Sequence, residues 1–403
     1  MRQRFLSVLL GMTVVVAAAT LGACSGAEGQ AAVGGACVGP GVSAGEVRIG
    51  LVYSDSGAGH EAFSAARAGV EGRLGLANEA GGVHGRQVRY EWRDDEASPS
   101  TNAEVAKDLV RDGSVFGLLM ITTSSSGSID ELGSQGVPVV GLADPTWAEH
   151  PNMFSHNYGT SPQTVGRYIQ AAGGTKVAIV TTGNAAYTMT YAGQYAAGIE
   201  SAGLATVATI PYSSGGDSQI RIAQQIAASG ADALIGLTTP DDFARVMDGV
   251  RTARLNLKAS VSLAGYDRAN LATLGPALAG VSFPVYFRPF EAGGAAIERY
   301  QAAMVKFAPE VVLPEQQFSM YAYIDTDLLL RGLELAGPCP TRQGFIEALR
   351  KVTDYDAGGL IEPVNLATNP HQLLECNAFV QIDQTGSAFQ VTRERLCANS
   401  TGS

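Results

Sequence analysis

Lysine is scarce in this chain: 5 of the 27 basic residues are Lys and the other 22 are Arg. They form no basic run, and 38 Asp and Glu leave a formal net charge of −11. Neutralising phosphates takes clustered cations, so no nucleic-acid partner is expected. Charge of either sign is low, at 16% of 403 residues, while apolar residues reach 46%. Such a chain builds cores, which excludes wholesale disorder, and its length suits two to three domains. After the first two dozen residues no apolar run approaches the roughly 20 residues of a membrane span. The patterns of common catalytic and metal sites are missing as well. His60, His84, His150, His156 and His371 enter no H-E-x-x-H arrangement, and neither a G-x-S-x-G elbow nor a phosphate-binding G-x-x-x-x-G-K-[ST] loop occurs. No two of the five Cys stand at C-x-x-C spacing. No metal, no cofactor and no enzymatic activity are expected.

What is present begins with an address. Arg2 and Arg4 precede an apolar stretch from Phe5 to Thr20, and small residues follow before Cys24. That order describes a secretory signal. Leu21-Gly22-Ala23-Cys24 resembles the lipobox of bacterial lipoproteins, which implies a signal peptide over 1–23 and a lipidated Cys24. The Gly-rich, small residues that follow read as a tether over 24–44. Cys37, Cys339, Cys376 and Cys397 then remain. An even number in an exported chain predicts two disulfides, with three pairings open at this point.

The body alternates between strand and helix. Apolar runs of strand length stand at Val47–Val52, Val115–Met120, Val137–Leu142, Val177–Thr182, Ala233–Thr238 and Ser260–Ala264, and Val88–Asp94 alternates. Helical stretches lie between them: Glu61–Asn78, Pro99–Arg111 after the N-cap candidate Ser98, Ser161–Ala172, Asp217–Ser229, Asp241–Arg254 and Met320–Ala336. Such alternation predicts parallel sheets covered on both faces. It runs too long for one domain of ordinary size, so the expected fold is α/β with two similar Rossmann-like lobes. Cys376–Asp383 and Ser387–Arg393 read as a closing hairpin.

Gly57-Ala58-Gly59-His60-Glu61-Ala62 nearly matches the dinucleotide fingerprint, but the acid wanted at the end of the second strand, about 20 residues on, is not there: Glu79 falls at a helix end, and Asp94-Asp95 stand about 35 residues on. It reads as a tight turn. Asp94-Asp95 is a poor acid/base dyad, because neighbours on a strand face opposite ways. Asp241-Asp242 suits a helix start. In open α/β sheets, ligands lie beyond the carboxyl ends of the strands. The loops there are Thr122-Thr123-Ser124, Asp144-Pro145-Thr146-Trp147, the segment with Tyr187, Thr238-Thr239, and Tyr266-Asp267. Hydroxyls and free N–H groups suit a carboxylate, an Asp suits an ammonium, and rings suit a side chain.

Gly69, Leu76, the run Asn78–Val83, Gly85-Arg86, Asp94-Asp95 and Pro99, with Tyr321-Ala322-Tyr323 and Tyr355–Gly359 further on, resemble the leucine/isoleucine/valine-binding protein family. These are type I periplasmic solute-binding proteins of ABC importers. The resemblance covers about residues 45–393. It implies two lobes, one from 45–156 plus 282–357 and the other from 157–281 plus 358–397, with a tail at 398–403. Three crossovers would fall near 154–160, 279–284 and 356–363. It places ligand contacts at Phe63, Thr122, Thr123, Ser124, Ala143, Asp144, Thr146, Trp147, Tyr187, Thr238, Thr239, Tyr266 and Asp267. Of these, Thr122–Ser124 would hold the carboxylate, Tyr187 would stack, and Asp267 would hold the ammonium. It further implies the pairings Cys37–Cys339 and Cys376–Cys397. The expected protein is a monomer, tethered by lipid to the outer face of the cytoplasmic membrane. It would capture a small polar ligand, an amino acid or a related carboxylate or amide, by hinge closure and pass it to an ABC permease. A ligand-sensing module of the same fold, acting through a partner protein, is the alternative.

Overall fold

A computed structural model describes residues 37–57, 60–183, 186–213 and 215–399. The signal peptide and Cys24 lie outside them. The first part of the chain gives β1 (Glu46–Tyr53), α1 (Ala66–Glu79), β2 (Gln87–Asp94), α2 (Pro99–Val110), β3 (Leu118–Ile121), α3 (Ile129–Ser134), β4 (Val139–Gly141) and β5 (Met153–Phe154). The middle gives α4 (Pro162–Ala171), β6 (Lys176–Thr182), α5 (Ala186–Ser201), β7 (Ala205–Tyr212), α6 (Gln219–Ser229), β8 (Ala233–Leu237), α7 (Pro240–Thr252), β9 (Ala259–Ser262), α8 (Leu271–Leu278) and β10 (Ser282–Val285). Last come α9 (Ala295–Phe307), α10 (Gln317–Leu335), α11 (Arg342–Leu349), β11 (Cys376–Ile382) and β12 (Phe389–Cys397).

Two sheets result. The first is parallel, in the order β2-β1-β3-β4-β5. The second runs β12-β11-β10-β9-β8-β6-β7. Its portion from β10 to β7 is parallel, and the hairpin β11–β12 adds to β10 antiparallel. Read from the first strand of each set, both parallel portions follow the same 2-1-3-4-5 order. The similarity of the lobes is therefore one of topology. In each, the order reverses beside the first strand, which is where such sheets form their binding crevice.

The strands are apolar because both faces are covered. In β1, Ile49, Leu51 and Tyr53 enter one core and Val52 enters another. Helix α10 buries most of its 19 residues. It packs on α1 at a close approach: a Cβ on Gly69 would stand 2.0 Å from the Ser319 carbonyl oxygen. Any side chain there would drive the two helices apart. Helix α2 starts as expected, with Ser98 Oγ accepting from Thr101 N and Pro99 in the first turn.

Several boundaries move. Val42 is buried, Gly41 N donates to the Gly113 carbonyl, and Arg48 N donates to the Gly41 carbonyl. Residues 37–44 thus belong to the folded body rather than to a free tether. Ser282–Val285, expected to open the return to lobe 1, is a strand of the second sheet, so the chain crosses after Val285. Ala398, expected in the tail, is buried and donates to the Glu375 carbonyl. Helix α1 begins at Ala66, and His60–Phe63 forms a separate 3-10 turn. Strands β7 and β10 escaped the sequence reading because β7 is half-exposed along its length and β10 has only 4 residues. The disulfides are Cys37–Cys339 and Cys376–Cys397, as the resemblance implied. The second lies directly across the β11–β12 ladder.

Candidate functional site

The strand-end loops are tied together from beneath by one buried network. Ser54, just past β1, is fully buried, and its Oγ donates to Asp95 Oδ1 at 2.8 Å. Asp95, just past β2, is also fully buried and accepts from Ala97 N and Asn102 Nδ2. Asn102 Oδ1 in turn accepts from Ser128 Oγ at 2.6 Å. The Ser54 hydrogen is therefore committed to Asp95. At the 3.0 Å contact between Ser54 and Thr122, Thr122 must be the donor. Thr122 Oγ1 then accepts from Ser124 N at 2.9 Å. Both the Thr122 hydroxyl and the Ser124 N–H are consumed within the fold. Thr123 is exposed, and the hydroxyl of the buried Ser124 makes no hydrogen bond recorded among the described residues. Helix α3 has only 6 residues, so its dipole adds little to this loop.

The next loop is shaped the same way. Asp144 Oδ1 accepts from Thr146 N and Thr146 Oγ1, which caps the turn Pro145–Glu149. Trp147 is fully buried in the first-lobe core, and its Nε1 donates to Ser125 Oγ at 3.3 Å. Its ring fastens this loop to the Thr122–Ser128 loop instead of walling a cleft. Half-buried Ala143 packs against the same core. Phe63 is buried with its ring 4.6 Å from that of Phe318.

From the second lobe, Thr239 caps α7 by accepting from Asp242 N, and Thr238 Oγ1 donates to the Thr239 carbonyl. Tyr266 is buried among Phe287, Phe290 and Phe389, and its hydroxyl donates to Glu291 Oε2. It too is a packing residue. Asp267 Oδ1 accepts from Gln317 N at 2.7 Å, at the start of α10. Asn270 Nδ2 approaches its other oxygen at 3.4 Å. Burial pushes the Asp267 carboxyl up to about 6, against the pull of the Gln317 N–H. The neighbouring Arg268 turns to Glu315 Oε1 at 3.1 Å. Tyr187 stands in the first turn of α5, and its side chain lies outside the described ones.

Asp267 thus adjoins Gln317, whose neighbour Phe318 touches Phe63. One seam joins the β9 loop of the second lobe to the aromatic pair of the first. Ser54 and Phe318 escaped the sequence reading. Ser54 ends a strand just as Thr122 does, and Phe318 is the aromatic residue in the first turn of α10. Among the described residues no group of acids, His and Cys is arranged to hold a metal.

Solved structures share this architecture. A fatty acid ABC transporter substrate-binding protein from Thermomonospora curvata superposes with a TM-score of 0.76 at 18% identity, over 90% of this chain and 95% of that one. LivJ from Streptococcus pneumoniae, a branched-chain amino acid transporter substrate-binding protein in complex with isoleucine, gives 0.71 at 15% identity, over 86% and 99%. An ABC transporter substrate-binding protein from Aeropyrum pernix gives 0.73 at 17%, over 88% and 97%. At these identities the likeness is one of fold. No curated protein matches the sequence. The family model for periplasmic binding proteins matches residues 46–387. By that match, and by the paired sheets that carry it, the chain belongs to the periplasmic binding protein family, the solute-binding proteins of ABC transporters.

Proposed function

We propose that the protein is a lipid-anchored, extracytoplasmic solute-binding protein that closes its two lobes on a small carboxylate, most plainly an α-amino acid, and delivers it to an ABC permease. One observation carries the ligand class. The Asp267 carboxyl is desolvated, and among the described residues its hydrogen bonds come from the neutral N–H groups of Gln317 and Asn270. An acid held up in this way, without a cation, is suited to receive an ammonium. The Thr123 and Ser124 hydroxyls of the first lobe supply donors for the carboxylate. The Phe63–Phe318 pair supplies an apolar surface for a side chain. The named ligands of the solved relatives, a fatty acid and isoleucine, both carry a carboxylate.

Native mass spectrometry of the exported chain, followed by a thermal-shift panel, tests this reading. The panel holds α-amino acids, small amides, fatty acids, aromatic acids and sugars. A ligand at 100 times its Kd stabilises by about 2.7 kcal/mol. A shift with α-amino acids supports the Asp267 and Ser124 roles. A shift with fatty acids alone removes Asp267 from the ligand's reach, and no shift with any carboxylate overturns the ligand class. Replacing Cys24 with Ser and finding the protein still membrane-bound would overturn the lipid anchor.

A further inference from the structure

Three segments carry the chain between the two sheets: one after β5 that holds His156, one after β10 over 286–289, and one over 359–364 ahead of β11. A cavity of about 390 Å³ is walled by residues from all three, among them His156, Phe287, Leu360 and Ile361, together with Leu374 and Ala378 beside the hairpin. None of the strand-end ligand candidates lines it. Its size falls within the range of small-molecule sites, about 300–1,000 Å³. Its walls mix apolar and polar side chains, and most of the charged groups around it have partners already. Arg395 pairs with Glu362 at 2.6 Å, Arg288 donates to the Gly293 and Ala292 carbonyls, and Glu375 accepts from Asn399.

Besides Asn377, whose buried side-chain amide has no partner among the described residues, the exception is His156. It is 2% exposed, and its Nδ1 stands 3.1 Å from Oδ1 of the fully buried Asp325 on α10. That contact occupies Nδ1 and leaves Nε2 as the ring atom open to a further partner. Nε2 has no hydrogen-bond partner among the described residues. A buried polar atom left unsatisfied is costly, and the adjoining cavity gives a partner somewhere to sit.

We propose that this cavity is a second binding site, for a small uncharged molecule with an apolar body and one hydroxyl group, of the phenol or alcohol class. Because all three crossovers form its walls, its shape changes with the angle between the lobes. An occupant favours one angle and, by reciprocity, alters the affinity of the interlobe ligand. That coupling rests on the hinge-closure reading above, whereas occupancy of the cavity does not.

Methyl NMR of the folded chain, titrated with phenol, tests occupancy without any interlobe ligand. Saturable shifts are expected at the methyls of Val285, Leu360, Ile361 and Leu374, with none at Val180 or Ile235 in the second-lobe core. Benzene, which lacks the hydroxyl, should bind up to about tenfold more weakly, the worth of one hydrogen bond. Leu374→Trp, at a half-exposed rim position, and Ala378→Leu each fill the cavity and should abolish the shifts, with the remote methyls reporting that the variants fold. Non-saturating shifts, equal binding of benzene, or shifts that persist in both variants would overturn the proposal. Failure of the amino-acid panel bears on the interlobe site and leaves this titration readable.

Discussion

Asp267 of the second lobe caps a helix of the first. Its Oδ1 accepts from Gln317 N at 2.7 Å, in the opening turn of α10, whose own N-cap residue Gln316 makes no side-chain cap bond. Antiparallel pairing of Asp267 with Gln316 and the bond from Arg268 N to the Glu315 carbonyl continue this seam. The α10 N-terminus is therefore satisfied by a side chain from the other lobe.

Because the Asp267 carboxyl sits at about 6, an ammonium ligand should bind less tightly as pH falls below that value, by about tenfold per unit at the limit. Titration calorimetry at about pH 7.5, 6 and 5, on either side of the titration point and at it, would show it. The same group acts on stability with the opposite sign. Its folded-state value lies above the ordinary carboxyl range, so the unfolded chain releases this proton first. Its contribution to stability is fully present below about 4 and is lost as pH rises through 6. Asp267→Asn should flatten both profiles, and unchanged profiles would remove Asp267 from the site.

Thr122 and Ser124 should separate under mutation. Thr122→Val removes the acceptor of Ser124 N and the donor to Ser54, and should destabilise the first lobe by about 1–3 kcal/mol. Ser124→Ala breaks no hydrogen bond recorded among the described residues, so it should leave Tm nearly unchanged and weaken carboxylate ligands. Thermal melts and binding isotherms on the two variants measure this, and equal effects on both quantities would contradict it.

Trp147→Ala should cost about 3–5 kcal/mol by emptying a core position. Trp147→Phe keeps most of the packing and loses the bond to Ser125 Oγ, worth about 1 kcal/mol. Urea denaturation would read both. A drop in ligand affinity for the Phe variant without any loss of stability would place the ring in the binding surface after all.

The two disulfides close loops of very different size, with sequence separations of 302 and 21. In the chain-entropy account, removing Cys37–Cys339 should cost about 5–6 kcal/mol and removing Cys376–Cys397 about 3 kcal/mol. Melts of the paired Ser variants test the order. A larger loss from the hairpin bond would show that native-state contacts, not loop entropy, dominate.

The lobes were legible because their signal is local. Apolar runs such as Val177–Thr182, the glycine stops and the Ser98-Pro99 helix start act over a few residues, and alternation of these elements leaves few sheet arrangements. The strand-end rule then singled out a set of loops as candidates. What it could not tell was which side chain in each loop points outward. Trp147 and Tyr266 are aromatic residues in strand-end loops, yet both are core residues, because partners distant in sequence, Ser125 and Glu291, claim their polar ends. Thr122 and Ser124 read alike in sequence. They differ only because Ser54 and Asp95, 68 and 27 positions before Thr122, fix the direction of a hydrogen-bond chain.

By itself the sequence determined the α/β class and the doubling of the lobes, since periodicity and turn chemistry suffice for these. Only the tertiary structure decided that residues 37–44 belong to the body, that β10 lies in the second sheet, that Asp267 caps α10 across the lobes, and that His156 meets Asp325 beside a cavity bounded by the crossovers. Each of these depends on contacts between segments far apart in the chain, whose directions become fixed only when the two sheets assemble.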